Sequence, residues 1–154
     1  MRASFFKGRR VWITGHTGFK GAWLSDWLLR MGAAVQGYSL APRADQPLFA
    51  ALNLDARMGS EFGDIRDAAR VRSSVGRFSP DVIFHLAAIV SGEAEAEFDK
   101  GYRINLDGTR YLIDAIRAIG GGYTQRLVFT SSIAVFGAPF PDKIGDEFAS
   151  APLT

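Results

Sequence analysis

Three glycines stand three residues apart in Thr14-Gly15-His16-Thr17-Gly18-Phe19-Lys20-Gly21, directly after the apolar run Val11-Trp12-Ile13 and before an amphipathic stretch, Ala22 to Met31. That order reads as strand, tight turn and helix. The glycines then play separate parts, since Gly15 turns the chain, Gly18 lets a pyrophosphate approach bare backbone, and Gly21 lets helix and strand pack closely. The free N–H groups of the first helical turn face an anion. An ordinary glycine turn is the simpler alternative, but the strand before it and the helix after it supply what a dinucleotide site needs. A triphosphate P-loop is excluded, because Lys20 precedes Gly21 and no Gly-Lys-Ser/Thr follows.

The pattern repeats along the chain. Gly32 closes the first helix, and Val35 to Leu40 reads as strand two. A short helical piece is expected over Leu48 to Leu54 and a brief strand three at Ser60-Glu61-Phe62. Asp67 then caps a helix over Ala68 to Phe78. Val82 to Leu86 is strand four. Tyr102 to Ile119 has the periodicity of one long helix, with a broken start in the Glu- and Ala-rich Ser91 to Asp99. Gly120-Gly121-Gly122 ends it, and Arg126 to Thr130 is strand five. Trp23, Trp27 and Met31 recur at helical spacing, as do Leu24 and Leu28, and are assigned to the core. Strands alternating with helices imply an α/β fold, a Rossmann-type doubly wound parallel sheet of about five strands in the order 3-2-1-4-5. Residues 1–136 form the dinucleotide-binding domain and 137–154 a loop tail, so the fold is expected to be truncated, without a substrate domain.

Ligand should sit at the strand C-termini, where the order reverses between strands one and four. Thr17 and Phe19 belong to the turn that would hold it. About twenty residues beyond the first glycine an acid usually takes the adenosine ribose; here that place holds Ser39, with Arg43 four residues on, which leaves NADP open beside NAD. Asp64 and Ile65 stand where an adenine ring would be framed, although Asp64 could equally cap. Leu86, Ala87 and Ala88 are small enough at the end of strand four to let a cofactor approach. His85 is expected to be a neutral core histidine rather than a base, and His16, beside a helix N-terminus, to be neutral for that reason. Glu93, Glu95 and Glu97 read as a solvated face, and no metal site is expected. Thr130-Ser131-Ser132 places hydroxyls beside the expected nicotinamide position, where they could assist proton transfer or simply cap the strand.

Composition narrows the partners. Eighteen basic against sixteen acidic residues give a net charge of +2 with no basic block, so nucleic acid is not implied. There is no cysteine, and hence no disulfide or thiolate chemistry. No apolar run reaches the roughly 18 residues that span a bilayer, which leads us to expect a cytoplasmic chain without a membrane partner. Self-association is expected through the long helix 102–119 or an exposed sheet edge.

With these pieces in place the chain resembles the extended short-chain dehydrogenase/reductases, the nucleotide-sugar epimerases and dehydratases and their relatives. Thr14 to Gly21 fits the family's Thr-Gly-x-x-Gly-Phe-x-Gly, Asp64-Ile65-Arg66 its strand-three signature and His85-Leu86-Ala87-Ala88 its strand-four signature. Asn105 to Thr109 fits its helix motif and Ser131 to Gly137 its serine segment. The resemblance gives Ser132 the place of the catalytic Ser/Thr and Asn105 that of an asparagine supporting the cofactor site. Residues 6–66 look like CDP-glucose 4,6-dehydratases and residues 85–154 like D-erythronate dehydrogenases, the pattern of a chimera joined between strands three and four. The family's Tyr-x-x-x-Lys pair is not among the 154 residues: Tyr102, Tyr111 and Tyr123 have no lysine four positions on. The resemblance therefore implies NAD or NADP binding without turnover, a fold-only scaffold or an enzyme completed by another chain being the alternatives.

Overall fold

The first strand, β1 (Arg10–Thr14), is the centre of the molecule: Val11, Trp12, Ile13 and Thr14 are fully buried. A strand covered on both faces has no polar alternation to show, which is why its sequence is a continuous apolar run. The computed structural model describes residues 3–120, 126–137 and 142–150. Around β1 it places β2 (Ala34–Ser39), β3 (Gly59–Phe62), β4 (Val82–His85) and β5 (Arg126–Phe129). They form one parallel sheet in the order β3-β2-β1-β4-β5. The order expected from the sequence is the order observed.

Alternate residues of β1 and β4 feed two cores. Val11, Ile13, Val82 and Phe84 pack with Leu28 of α2 (Phe19–Arg30) and with Phe6 of the short lead-in helix α1 (Ala3–Phe6). A smaller cluster on α2, Ala22 with Phe49 and Leu54, seats α3 (Leu48–Ala51). On the opposite face Trp12 and Ile83 meet Val71 and Val75 of α4 (Ala68–Phe78) and Leu112 and Ala115 of α7 (Gly108–Ile119). Asp67 caps α4 as expected, accepting a hydrogen bond from the Arg70 N–H at 3.0 Å. Buried Asp26 accepts from Arg30 of the same helix and from Arg57, which ties α2 to the turn after α3, each at 2.7 Å.

One expectation fails here. Trp23 and Trp27 are not core: they are 50% and 53% exposed, on the outward face of α2 with Phe19, while Leu28 takes the inward face. Four-residue spacing identifies a face of a helix and not which way it points. The long helix is found with its broken start: α5 (Ser91–Ala96) ends before α6 (Phe98–Tyr102), from which the chain stays helical through a π-helical turn at Arg103–Asp107 into α7. Gly120 ends α7 with φ +62 as expected, whereas Gly121 and Gly122 lie outside the described residues.

β5 carries the apolar sequence of an interior strand in an edge position. All four of its residues are exposed, and among the described residues β4 is its only strand neighbour. No helix among the described residues is long and apolar enough to cross a membrane.

Candidate functional site

Gly15 turns the chain out of β1 at φ +73, a conformation that disfavours a side chain. A Cβ there would also stand 3.1 Å from the Ala87 nitrogen, so the turn lies directly against the loop that leaves β4. At Gly21 an added Cβ would overlap the Gly15 carbonyl oxygen and approach the Gly15 carbon and the His16 Cα to 2.7 Å, so helix and turn are in backbone contact. Gly18 is different. An added Cβ would meet the Gly15 oxygen at 3.4 Å and Gln46 Oε1 at 3.7 Å, ordinary contacts with no overlap. Gly18 is also the N-cap of α2, no side chain caps it, and the first turn holds Lys20 and no acidic residue. The N–H groups at this twelve-residue helix's start are thus left for an anion. These features fit a dinucleotide pyrophosphate, with Gly15 making the tight turn and Gly21 the close approach of helix and turn that the sequence leads one to expect.

Thr14 joins the two strands that flank the crevice. Its hydroxyl oxygen accepts the Leu86 and Ala87 N–H groups, each at 2.9 Å. Both lone pairs are then used, so its proton goes to His85 Nδ1 at 2.7 Å. His85 must therefore carry its proton on Nε2, which donates to Thr109 Oγ1 at 2.9 Å, and Thr109 donates in turn to the Asn105 carbonyl at 2.6 Å. His85 is the neutral, satisfied core histidine expected. The Asn105 side chain brackets Ile89, accepting its N–H and donating to its carbonyl, both at 3.0 Å. Loop 86–90 is thus held at both ends by side chains, with Ala88 exposed between them.

His16 is buried against Gly37, between the rings of Phe49 at 5.3 Å and Phe62 at 6.1 Å, and neither ring nitrogen has a partner among the described residues. Burial pushes its pKa down to about 4, only partly offset by the Tyr38 backbone and Asp55. Burial is thus the largest cause of its neutrality. Burial likewise pushes His85 down to about 4. Unfolded, each would titrate near pH 6.5, so between about 6.5 and 4 the unfolded chain takes up protons that the folded chain refuses. Stability from both groups is complete above pH ~6.5 and is lost as the pH falls toward 4, on the order of 3 kcal/mol per histidine. Urea unfolding at pH 7.5 and 4.5 should show a markedly lower midpoint at the acid value; equal midpoints would contradict buried neutral rings.

The other predicted residues sit around this centre. The Thr17 hydroxyl bonds Ser39 Oγ at 2.9 Å and donates to the Leu40 carbonyl at 3.1 Å. Arg43 is held by Asp45 in the loop after β2. The Arg66 guanidinium grips Asp64 from two sides and holds its carboxyl below the usual carboxylate range. Ile65 is buried in the second core with Val71 and Leu112, so it offers an adenine ring little side chain. Ser132 lies past β5, exposed, accepting the Ala134 N–H at 3.2 Å as cap of the 3-10 turn Ile133–Phe136. Glu93 and Glu97 both bind Lys100. A polar cavity of about 610 Å³, lined by Asp64, Arg66, Asp67, Arg103, Asp107 and Tyr111, opens beside the crevice but does not reach the glycine turn. Sequence reasoning overlooked Thr14, whose partners lie some 70 residues away, and Asp45, which as an acid two residues after Arg43 was visible in the sequence.

Comparison with known proteins agrees with this geometry. Residues 11–154 match the model of the NAD dependent epimerase/dehydratase family. The chain is 42% identical over 119 residues to CDP-glucose 4,6-dehydratase of Salmonella typhimurium, covering 76% of this chain and 33% of that enzyme. It is 40% identical over 146 residues to D-erythronate dehydrogenase of Cupriavidus necator, covering 92% of this chain and 44% of the relative. Among solved structures, UDP-glucose 4-epimerase from Brucella ovis in complex with NAD superimposes with a TM-score of 0.78 at 30% identity, over 95% of this chain and 42% of that one. The chain thus spans less than half the length of these relatives. By sequence, by sheet order and by the glycine turn beneath the crevice, the chain belongs to the NAD-dependent epimerase/dehydratase family.

Proposed function

We propose that these 154 residues form a nicotinamide-dinucleotide-binding unit, with the pyrophosphate on the glycine turn and the adenosine toward β2 and β3. One observation carries this reading: the start of α2 has no side-chain cap at Gly18, and the loop after β4 packs directly against the turn. The NAD-bound state of the Brucella ovis epimerase supports it by likeness. The protein supplies binding and orientation, and the bound dinucleotide would supply hydride transfer.

Ser132 is the one family acid-base position within the chain, and a serine alone has no group whose pKa suits proton transfer near neutrality. The reading for these residues is cofactor binding, with a nucleotide sugar or a sugar acid as the class of substrate that the relatives suggest. A melting measurement tests it. At a NADH concentration about a hundredfold above Kd, a one-site complex gains about 2.7 kcal/mol, a rise in melting temperature of roughly 5–10 °C. A cooperative melt unmoved by NADH would favour the scaffold alternative and contradict the proposal.

A further inference from the structure

Loop 40–47 borders the glycine turn, with Gln46 Oε1 3.7 Å from where a Cβ on Gly18 would stand. At its start the Ser39 proton is already committed. Thr17 gives its one proton to the Leu40 carbonyl, so in the 2.9 Å contact between the two hydroxyls Ser39 is the donor. Ser39 consequently offers an incoming sugar only lone pairs. A ribose 2′-hydroxyl has a proton to give and suits that acceptor. An ionised 2′-phosphate has none, and would set oxygen against oxygen.

Arg43, the cation that could serve a 2′-phosphate, is engaged. Its Nε and one terminal nitrogen donate to the two carboxylate oxygens of Asp45 at 3.0 and 2.9 Å, a two-bond fork that cancels its charge. Glu93 of α5 also acts electrostatically on Arg43, adding a second negative charge to its surroundings. The loop therefore presents an arginine paired with its own carboxylate where a phosphate would want a free cation.

We propose that Asp45 is the cofactor discriminator of this chain: it cancels Arg43 and repels a 2′-phosphate, so that the crevice takes NAD(H) in preference to NADP(H). The proposal rests on the dinucleotide reading above. It places the acid that sets the preference six residues beyond Ser39, and it works by exclusion. Both partners are exposed, so the effect acts through water and weakens with salt.

The test is a fluorescence titration of the chain with NADH and with NADPH, at low ionic strength and again in 0.5 M salt, the latter about a 4 Å screening length. The native chain should bind NADH about tenfold or more tightly than NADPH at low salt, and the ratio should narrow in high salt. Asp45→Asn removes the charge, keeps the side-chain size and frees Arg43; NADPH should then bind about tenfold more tightly while NADH changes little. Arg43→Ala should keep the preference for NADH. Both positions are exposed in a loop, and an unchanged melting temperature confirms that the variants fold. Equal or tighter binding of NADPH by the native chain, or an unmoved ratio in Asp45→Asn, overturns the discriminator while the dinucleotide reading stands. Absence of binding by either cofactor overturns both.

Discussion

A Gly21→Ala chain is expected to lose its dinucleotide site and about 3 kcal/mol of stability together. The added methyl would overlap the Gly15 carbonyl oxygen and press on the Gly15 carbon and the His16 Cα. All of these are backbone atoms, so no side-chain rotation can relieve the clash, and α2 must move off β1. That movement costs the packing of Leu28 on Val11 and Ile13. It also withdraws the uncapped helix start from the turn, so the anion site goes with it. Urea unfolding and NADH titration of the same preparation measure the two effects. Gly76→Ala is the control: nothing lies within 4 Å of its added Cβ inside α4, and alanine there should stabilise by up to about 1 kcal/mol. Similar effects from the two changes would contradict the close contact at Gly21.

Thr14→Val is expected to cost about 4 kcal/mol although it hardly alters volume. The hydroxyl satisfies the N–H groups of Leu86 and Ala87 and gives its proton to His85 Nδ1, all at a fully buried position. Valine fills the space and leaves three polar groups without partners, each costing about 1–3 kcal/mol. Thr14→Ser keeps the hydroxyl and should lose less than half as much, which separates hydrogen bonding from packing. Because loop 86–90 is released at its Leu86 end, the valine chain should also bind NADH more weakly than its remaining folded fraction accounts for. A loss below about 1 kcal/mol for Thr14→Val would contradict the network.

Features set by short stretches of chain were readable before the structure. The parallel order follows from apolar strands alternating with helices, the Asp67 cap from its place before Ala68, and the neutrality of His85 from its position inside an apolar strand. Features set by which face or which distant partner a residue meets were not. Trp23, Trp27 and Leu28 all obey helical spacing, and only packing against the sheet decides that Leu28 turns inward. Nothing near Thr14 in sequence announces its bonds to Leu86, Ala87 and His85, since the pairing of β1 with β4 creates them. Ser39 and Arg43 were visible as residue types, but their meaning changed once Thr17 and Asp45 were found to occupy them. The π-helical turn at Arg103–Asp107 has no sequence signal that we recognise.

The central claim is that the crevice above β1 and β4 holds a nicotinamide dinucleotide, and calorimetric titration of the folded chain with NAD tests it most directly. Saturable binding near one site per chain, abolished by Gly21→Ala and retained in Gly76→Ala, is the predicted result. No saturable heat from a chain that unfolds cooperatively in urea, or binding that survives Gly21→Ala undiminished, would contradict it.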